Sequence, residues 1–179
     1  MRVLGLDPGS RRTGFGVVER SGNRLRCVTH GTVAPGAGLG LPARLHDISV
    51  RIGELIESER PDLVSVEEAF YHESVRSTLV LGHVRGVLLV AAVQRGVEVA
   101  EYSPREIKQS VTGSGAAAKQ QVAFMVCRLL GLRDRLSPDA ADALAVALCH
   151  LHRARVSAPA RAASAAATRL EALLAGRGR

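Results

Sequence analysis

The stretch VLGLDPGSRRTGFGVVE at residues 3–19 decides the fold. An apolar run ends in Asp7, a turn rich in Pro, Gly and Ser follows, and a second apolar run begins at residue 14. A third run, LRCVTHGTVA at 25–34, alternates in polarity. Apolar runs separated by such turns predict three strands in consecutive hairpins. The chain therefore begins with an antiparallel meander.

Beyond the meander, helices alternate with strands. Apolar residues at helical spacing predict a helix over 41–59, which Pro61 closes. We expect strands at LVSVE (63–67) and VEVAEY (97–102), with a long helix over 74–95 between them. Three more helices are predicted in PREIKQS (104–110), AKQQVAFMVCRLLG (118–131) and SPDAADALAVALCHLH (137–152). The order βββαβαβααα predicts an α/β fold, a five-stranded mixed sheet flanked by helices.

Length and charge predict one domain with a tail. The chain has 179 residues, 46% of them apolar, enough for one ordinary core. We assign a single domain to 1–155 and an Ala/Arg-rich basic tail, predicted to be flexible, to 156–179. The net charge is +7, but residues 151–179 hold six arginines and a single acid. Most of the basic character therefore lies near the end of the chain, and the domain must be judged by its site residues.

Cysteine usage and hydropathy predict a cytoplasmic protein. The three cysteines are an odd number without metal-like spacing, which excludes a disulfide scaffold. CHLH at 149–152 lacks the second ligand pair of a structural zinc site. No stretch approaches ~18 consecutive apolar residues, and no signal-peptide core fits the first residues, so we expect no membrane partner.

Four acids lie where folded proteins rarely place acids without a partner: Asp7, Glu67, Asp139 and Asp142. The first two end apolar strands, and the other two are three apart on one helix and share a face. Asp142 lies in the apolar run AADALAVAL, where an unpaired charge is costly to bury. Structural roles remain open for the others: a helix first turn for Asp139, a turn for Asp7, and an ion pair for Glu67.

Taken together, the four acids predict one cluster of oxygen ligands. Such ligands favour Mg²⁺ or Mn²⁺ over zinc. Clusters that hold two such ions ~3.5–4 Å apart activate water and stabilise the leaving oxygen in phosphodiester hydrolysis. The residues therefore predict metal-dependent cleavage of a phosphodiester.

The motifs GLDPGSRRTGFGVV, VSVEEAF, REIKQSVTGSGAAAKQQV and DAADALAVAL follow one another as in the RuvC family of Holliday-junction resolvases, which the chain resembles over 3–155. The resemblance implies an RNase H-like fold, a homodimer, and a magnesium-dependent endonuclease that makes paired symmetric nicks in four-way DNA junctions during recombination and repair. It implies 5′-phosphate and 3′-hydroxyl products, and a branch-migration motor complex as a further partner.

The resemblance also assigns the site. The catalytic and metal-holding acids would be Asp7, Glu67, Asp139 and Asp142, holding two Mg²⁺ ions for which Mn²⁺ substitutes. The third acid is a histidine in some members and an aspartate here. Strand alternation agrees that Glu67, and not its neighbour Glu68, faces Asp7.

DNA contacts are expected from Lys108, Lys119, Phe70, Tyr71 and Arg76. The two lysines, the only ones in the chain, match positions that the family associates with activity and DNA binding. Phe70 matches the residue that stacks on an unpaired base at the junction centre. The residues alone leave open an ordinary arrangement in which one of the two adjacent aromatics is buried and the other half-exposed.

Gly82 and Gly86 lie four residues apart in the predicted helix over 74–95. A glycine inside a helix costs about 1 kcal/mol relative to alanine, which close helix contact would offset. The helix either is buried within one subunit or packs one face on the sheet and the other on a partner subunit. We favour a homodimer, because a two-fold DNA substrate suits an isologous pair of active sites.

Three other functions are weighed against the resolvase. DPGSRRTG resembles the phosphate loop of sugar kinases and actin-like ATPases, but those need two such domains and this chain holds one. RNase H-like nucleases that process ribosomal RNA precursors share the first motif, yet the DAAD helix and the region of Lys119 favour the resolvase. A non-catalytic, structure-specific DNA-binding module would not need all four acids.

Overall fold

The computed structural model describes residues 1–68, 74–134 and 136–156, with the backbone alone at 155 and 156. The predicted element order is confirmed, and the boundaries shift by only a few residues. The elements are β1 Arg2–Asp7, β2 Thr13–Ser21, β3 Arg24–Val33, α1 Leu41–Glu59, β4 Leu63–Glu67, α2 Val75–Val93, β5 Glu98–Tyr102, α3 Pro104–Thr112, α4 Lys119–Leu130 and α5 Pro138–Val156.

The sheet is mixed, as predicted, with strand order β3-β2-β1-β4-β5. The β1–β2 and β2–β3 pairs are antiparallel, whereas β4 runs parallel to both β1 and β5. Leu6 of β1 pairs with Val66 of β4, so the residues that follow them, Asp7 and Glu67, end their strands side by side. Parallel pairing therefore brings two of the four acids to one edge of the sheet.

Two layers of helices cover the sheet. Helices α3, α4 and α5 bury one face together with Val3, Val18 and Leu63. Helices α1 and α2 bury the other face together with Leu4, Leu6, Val17, Val64 and Val66. Side chains alternate between the two faces of a strand, and a strand covered on both faces is apolar throughout. By this alternation Asp7 and Glu67 share the α5 face of the sheet.

Three strand glycines allow α5 to lie directly against β1 and β2. A β-carbon at Gly5 would lie 2.1 Å from the carbonyl oxygen of Ala143, and one at Gly14 would lie 2.1 Å from that of Asp139. One at Gly16 would lie 2.6 Å from the side chain of Leu144. Glycine in a strand commonly marks such a close approach of another backbone. These contacts place the start of α5, and hence Asp139 and Asp142, above the end of β1 and the start of β2.

The helices that carry candidate site residues start at defined caps. In α3, which carries Lys108, Ser103 and Glu106 form a capping box. The hydroxyl of Ser137 accepts a hydrogen bond from the backbone N–H of Ala140 at 3.3 Å and begins α5. Caps of this kind satisfy backbone groups that the first turn leaves unpaired.

Helix α2 is apolar on more than one face. Its buried side packs through Val84, Leu88, Ala91 and Ala92. Among the described residues it is the one helix long and apolar enough to span a membrane, and only 22% of that window is buried. A core helix of a soluble protein meets the same criterion, so the expectation of no membrane partner stays a prediction.

Candidate active site

The four predicted acids act on one another at the edge where β1 and β4 end. The side chains of Asp7 and Glu67 lie close enough for each to shift the pKa of the other. Asp139 lies on the first turn of α5 against Gly14, and Asp142 follows one turn later. Of the neighbours Glu67 and Glu68, only Glu67 is among the charges that raise the pKa of Asp7, so Glu67 is the member of the pair that faces Asp7.

Burial and mutual repulsion raise the pKa values of Asp7 and Glu67 above those of ordinary carboxyl groups. The pKa of Asp7 is raised to about 8, first by burial and then by the charges of Glu67, Asp142 and, more weakly, Asp139. The pKa of Glu67 is also raised, first by burial and then by Asp142. A carboxyl group that is buried among other carboxylates ionises reluctantly, because burial and like charges both disfavour its charged form. At neutral pH Asp7 therefore tends to retain its proton.

The two lysines supply positive charge to this cluster. The Nζ of Lys119 lies 3.2 Å from Oδ2 of Asp142, and this ion pair is the main reason that the pKa of Lys119 is raised. The side chain of Lys119 is 79% exposed, whereas that of Asp142 is 24% exposed. Lys108 lies near enough to lower the pKa of Glu67. Both lysines therefore lie close to the acids, and Lys119 approaches them from the solvent-exposed side.

The chemistry of the donor set fits a hard divalent cation. All four side chains offer carboxylate oxygens, the ligands that Mg²⁺ prefers. A divalent cation would also relieve the repulsion that raises the pKa of Asp7 and Glu67. Within residues 1–68, 74–134 and 136–156, no three Asp, Glu, His or Cys side chains are already spaced as a ligand set. The carboxylates repel one another, and Asp142 is engaged by Lys119.

The CHLH sequence at the end of α5 is occupied by structural contacts. Cys149 is buried, and Nδ1 of His150 lies 2.7 Å from the hydroxyl of Tyr102. Nδ1 of His152 lies 3.2 Å from the hydroxyl of Ser110. These residues tie α5 to β5 and α3.

The remaining predicted site residues either make no contact with the acids among the described residues or lie outside the described residues. Phe70 and Tyr71 fall within 69–73, which the structure does not describe, as does the tail from 157 onward. Arg76 is exposed in the first turn of α2. The structure thus brings together the four acids and both lysines, while the roles of Phe70, Tyr71 and Arg76 stay predictions.

Gly5, Gly14 and Gly16, which seat α5, were missed in reading the sequence. A signal for them was present, because an isolated glycine inside a strand pattern indicates close backbone approach. Three such glycines alternate along β1 and the start of β2. The sequence did not show which element approaches them.

The fold and the acids at the edge of its sheet define a class, the RNase H-like α/β nucleases. The family model for the crossover junction endodeoxyribonuclease RuvC matches residues 3–150. The chain therefore belongs to the RuvC family, which confirms the resemblance seen in the sequence and makes the protein a nuclease that acts on DNA.

Similar proteins agree with this assignment. The chain is 45% identical over 158 residues to the crossover junction endodeoxyribonuclease RuvC of Syntrophomonas wolfei, covering 88% of this chain and 92% of that one. It is 49% identical over 168 residues to the RuvC of Halorhodospira halophila, covering 94% and 99%.

Solved structures agree as well. The fold matches Thermus thermophilus RuvC in complex with a Holliday junction substrate with a TM-score of 0.82 at 38% identity, covering 87% of this chain and 96% of that one. It matches the yeast mitochondrial Holliday junction resolvase Ydc2 with a TM-score of 0.62 at 15% identity, covering 84% and 77%, a likeness of fold alone.

Proposed function

We propose that the protein is a magnesium-dependent endonuclease that resolves four-way DNA junctions by paired symmetric nicks in recombination and repair. The observation that carries the proposal is the cluster of Asp7, Glu67, Asp139 and Asp142, in which the other three acids all raise the pKa of Asp7. Membership of the RuvC family supports it, as does the likeness to a relative solved with a Holliday junction.

The four acids would hold two Mg²⁺ ions, for which Mn²⁺ substitutes. When bound, the ions supply activation of a water molecule and stabilisation of the leaving oxygen. Asp7 would be held as a carboxylate in the loaded site, because added positive charge lowers the pKa of a carboxyl group. Burial of Asp7 and Glu67 keeps their electrostatic interactions strong by excluding bulk water.

Lys119 and Lys108 would hold phosphates of the strand to be cut. Lys119 lies mostly in solvent, and its flexible stem allows the ammonium group to turn from Asp142 to a phosphate oxygen. Arg76 would contact the DNA backbone from the start of α2, and Phe70 or Tyr71 would stack on an unpaired base at the junction centre. Products with 5′-phosphate and 3′-hydroxyl ends follow from the family resemblance.

The homodimer would form through α2. Six of its residues form a stripe spaced by three and four residues: Val75, Leu79, Gly82, Gly86, Val90 and Val93. Val75, Leu79, Val90 and Val93 are exposed, and a β-carbon on either glycine would meet nothing within 4 Å. At 100° per residue the stripe lies opposite Val84 and Leu88, which pack on the core. An isologous pair of such helices would bury an apolar surface that is otherwise left in water.

The family suggests a further partner, and the cysteines indicate the cellular compartment. A branch-migration motor complex is the expected partner in the cell. All three cysteines are free, with Cys149 buried, as suits a reducing cytoplasm.

The test of this function compares three substrates. Purified protein is incubated with a synthetic four-way junction, a linear duplex of the same sequence and a structured RNA, each with and without Mg²⁺. We expect symmetric nicks in the junction alone, and only with the metal. Ca²⁺, larger and less demanding in geometry, should support binding with little cutting. Cleavage of the RNA in preference to the junction would indicate an RNA-processing nuclease, and binding without any cleavage would indicate a DNA-binding module.

A further inference from the structure

Two exposed arginines lie on the turn that follows Asp7. Arg11 and Arg12 belong to the segment of residues 8–12 that joins β1 to β2, and both are exposed. In the part of the chain that the structure describes, neither takes part in an ion pair, whereas Arg2, Arg26, Arg51, Arg85, Arg95 and Arg153 each pair with a carboxylate. Two guanidinium groups that follow Asp7 by four and five residues are therefore available to a ligand.

The turn that carries them is braced. The buried hydroxyl of Thr13 donates to the carbonyl of Gly9 at 2.8 Å, and Nη1 of Arg44 donates to the carbonyl of Ser10 at 3.4 Å. A β-carbon at Gly9 would lie 2.0 Å from the carbonyl oxygen of Arg12, so the chain folds back tightly on itself there. The backbone under the two arginines is thus tied down, while their side chains extend into solvent.

This turn and Lys108 lie on opposite sides of the acids. Asp7 pairs with Gly14 across β1 and β2, and Gly14 abuts Asp139, so the turn borders the cluster on the β2 side. Lys108 lies on α3, which follows β5 in the chain. In the sheet, β5 is separated from β2 by β4 and β1. The turn with Arg11 and Arg12 and the helix with Lys108 therefore lie on opposite sides of the two strands that end in Asp7 and Glu67.

A purely solvated turn is the simplest alternative. Two features favour a ligand. The arginines are adjacent on a braced turn that begins directly after Asp7, and neither forms an ion pair with a carboxylate of the described residues. A guanidinium group presents a planar fork of donors that matches a phosphate, and phosphates lie on both sides of the bond to be cut in a DNA strand.

We propose that Arg11 and Arg12 bind phosphates of the cut strand on the side of the scissile phosphate opposite to Lys108. The strand would then be held on both sides of the carboxylates, and the scissile phosphate could not slide past them in either direction. The two arginines are positioning residues for the reaction. This inference rests on the proposed function, since it takes a DNA strand as the substrate.

The first experiment measures binding of a four-way junction in Ca²⁺ as a function of salt. Arg11→Gln, Arg12→Gln and the double variant are compared with Arg24→Gln, a matched control. Arg24 is exposed at the start of β3, opposite Ser21 at the far end of β2, about 30 Å away at ~3.3 Å per residue. We expect at least about tenfold weaker binding for the double variant and a log–log salt slope lower by about two, because each lost phosphate contact removes about one from it. Arg24→Gln should bind like the parental protein.

Two further measurements separate a contact from an effect on folding. The Arg11→Lys, Arg12→Lys double variant should recover most of the binding, and all variants should keep the parental Tm. Single methylphosphonates are then placed along the cut strand. Some neutral phosphates should weaken binding by the parental protein but not by the Arg11→Gln, Arg12→Gln double variant, and these should lie on one side of the scissile phosphate. Those that weaken binding by the parental protein but not by Lys108→Gln should lie on the other side.

The outcomes distinguish the two proposals. Binding and salt slope of the double variant equal to those of Arg24→Gln would overturn the inference about the turn. So would arginine-dependent and lysine-dependent phosphates on the same side. Failure of the parental protein to nick the junction in Mg²⁺ would overturn the proposed function instead, since these binding measurements do not need cleavage.

Discussion

Helices α2 and α5 have the same length, 19 residues each, and both are rich in apolar residues, but they are used differently. In α5 every residue from 140 to 151 is buried except the partly exposed Asp142 and His150. In α2 only four residues are buried, and the opposite side carries exposed valines and a leucine. Apolar composition alone therefore does not say whether a helix completes its own core or remains to be covered.

Glycine shows the same difference. Gly5, Gly14 and Gly16 face α5 at distances that leave no room for a β-carbon. Gly82 and Gly86 of α2 face open space within one subunit. Close backbone approach explains the first set and is complete within the chain. The two glycines of α2 lower the stability of the helix, and no close contact within the described part of the chain compensates for this loss. Contact with a partner helix would compensate for it. The two helices thus differ in whether their contacts are internal.

If α5 exists to bring its acids to Asp7, removal of the Asp7 charge should abolish cleavage with little effect on binding. Asp7→Asn keeps the side-chain volume but removes a metal-ligand charge. We expect junction cleavage in Mg²⁺ to fall by more than about a hundredfold, ~2.7 kcal/mol of barrier, with binding in Ca²⁺ unchanged. Asp142→Asn should behave alike. Nicking at the parental rate would contradict the metal assignment.

If α2 is completed by a partner, Gly86→Leu should push two helices apart. The variant should elute as a monomer in size-exclusion chromatography with light scattering, at concentrations where the parental protein is a dimer. Arg128→Leu, which adds the same side chain to the exposed face of α4, should leave the mass unchanged. A dimer of unchanged mass for Gly86→Leu would place the interface elsewhere.

The glycines facing α5 should tolerate no side chain. Gly5→Ala places a methyl group against the Ala143 carbonyl, which should cost ~1–3 kcal/mol of unfolding free energy and slow cleavage as α5 shifts. The matched change Gly82→Ala, made in the Gly86→Leu monomer, should instead stabilise by about 1 kcal/mol through helix propensity. Denaturant unfolding measures both. Equal effects at the two positions would remove the contrast between the helices.

The acids that α5 and the strands bring together should make the metal-free protein less stable as pH rises. Folding raises the pKa of Asp7 from 3.8 to about 8, so between these values the folded state binds more protons than the unfolded state. Stability is then lost with a slope approaching ~1.4 kcal/mol per pH unit up to about pH 8. In EDTA, Asp7→Asn should flatten this dependence, whereas Glu54→Gln on the exposed face of α1 should not. Identical pH profiles for Asp7→Asn and the parental protein would contradict the coupling.

The smallest effect concerns the ion pair between Lys119 and α5. Lys119→Arg keeps the charge but replaces a compact ammonium group by a planar guanidinium group. We expect binding within a few-fold of the parental protein and cleavage at saturating enzyme slower by at least about tenfold, ~1.4 kcal/mol. Lys108→Arg should act in the same direction but more weakly. Parental rates for both, with loss in the alanine variants, would mean that these positions need only a positive charge.

Much of the fold and the candidate site was predictable from local pattern. Period-two and helical spacing of apolar residues gave the ten elements in order, because each element must bury one or two faces. The position of Asp7 and Glu67 at strand ends, and of Asp142 in an apolar helix, singled out acids whose burial needs compensation. These inferences required no knowledge of which elements touch.

The tertiary structure decided what depends on distances between elements. The raised pKa of Asp7, the ion pair of Lys119 with Asp142 and the contact of Gly14 with Asp139 join residues far apart in the chain. Periodicity likewise left open which apolar face of α2 packs on the core. An element's own residues show which of its faces are apolar, but only the packing of the whole chain decides which of those faces is covered and which charges meet.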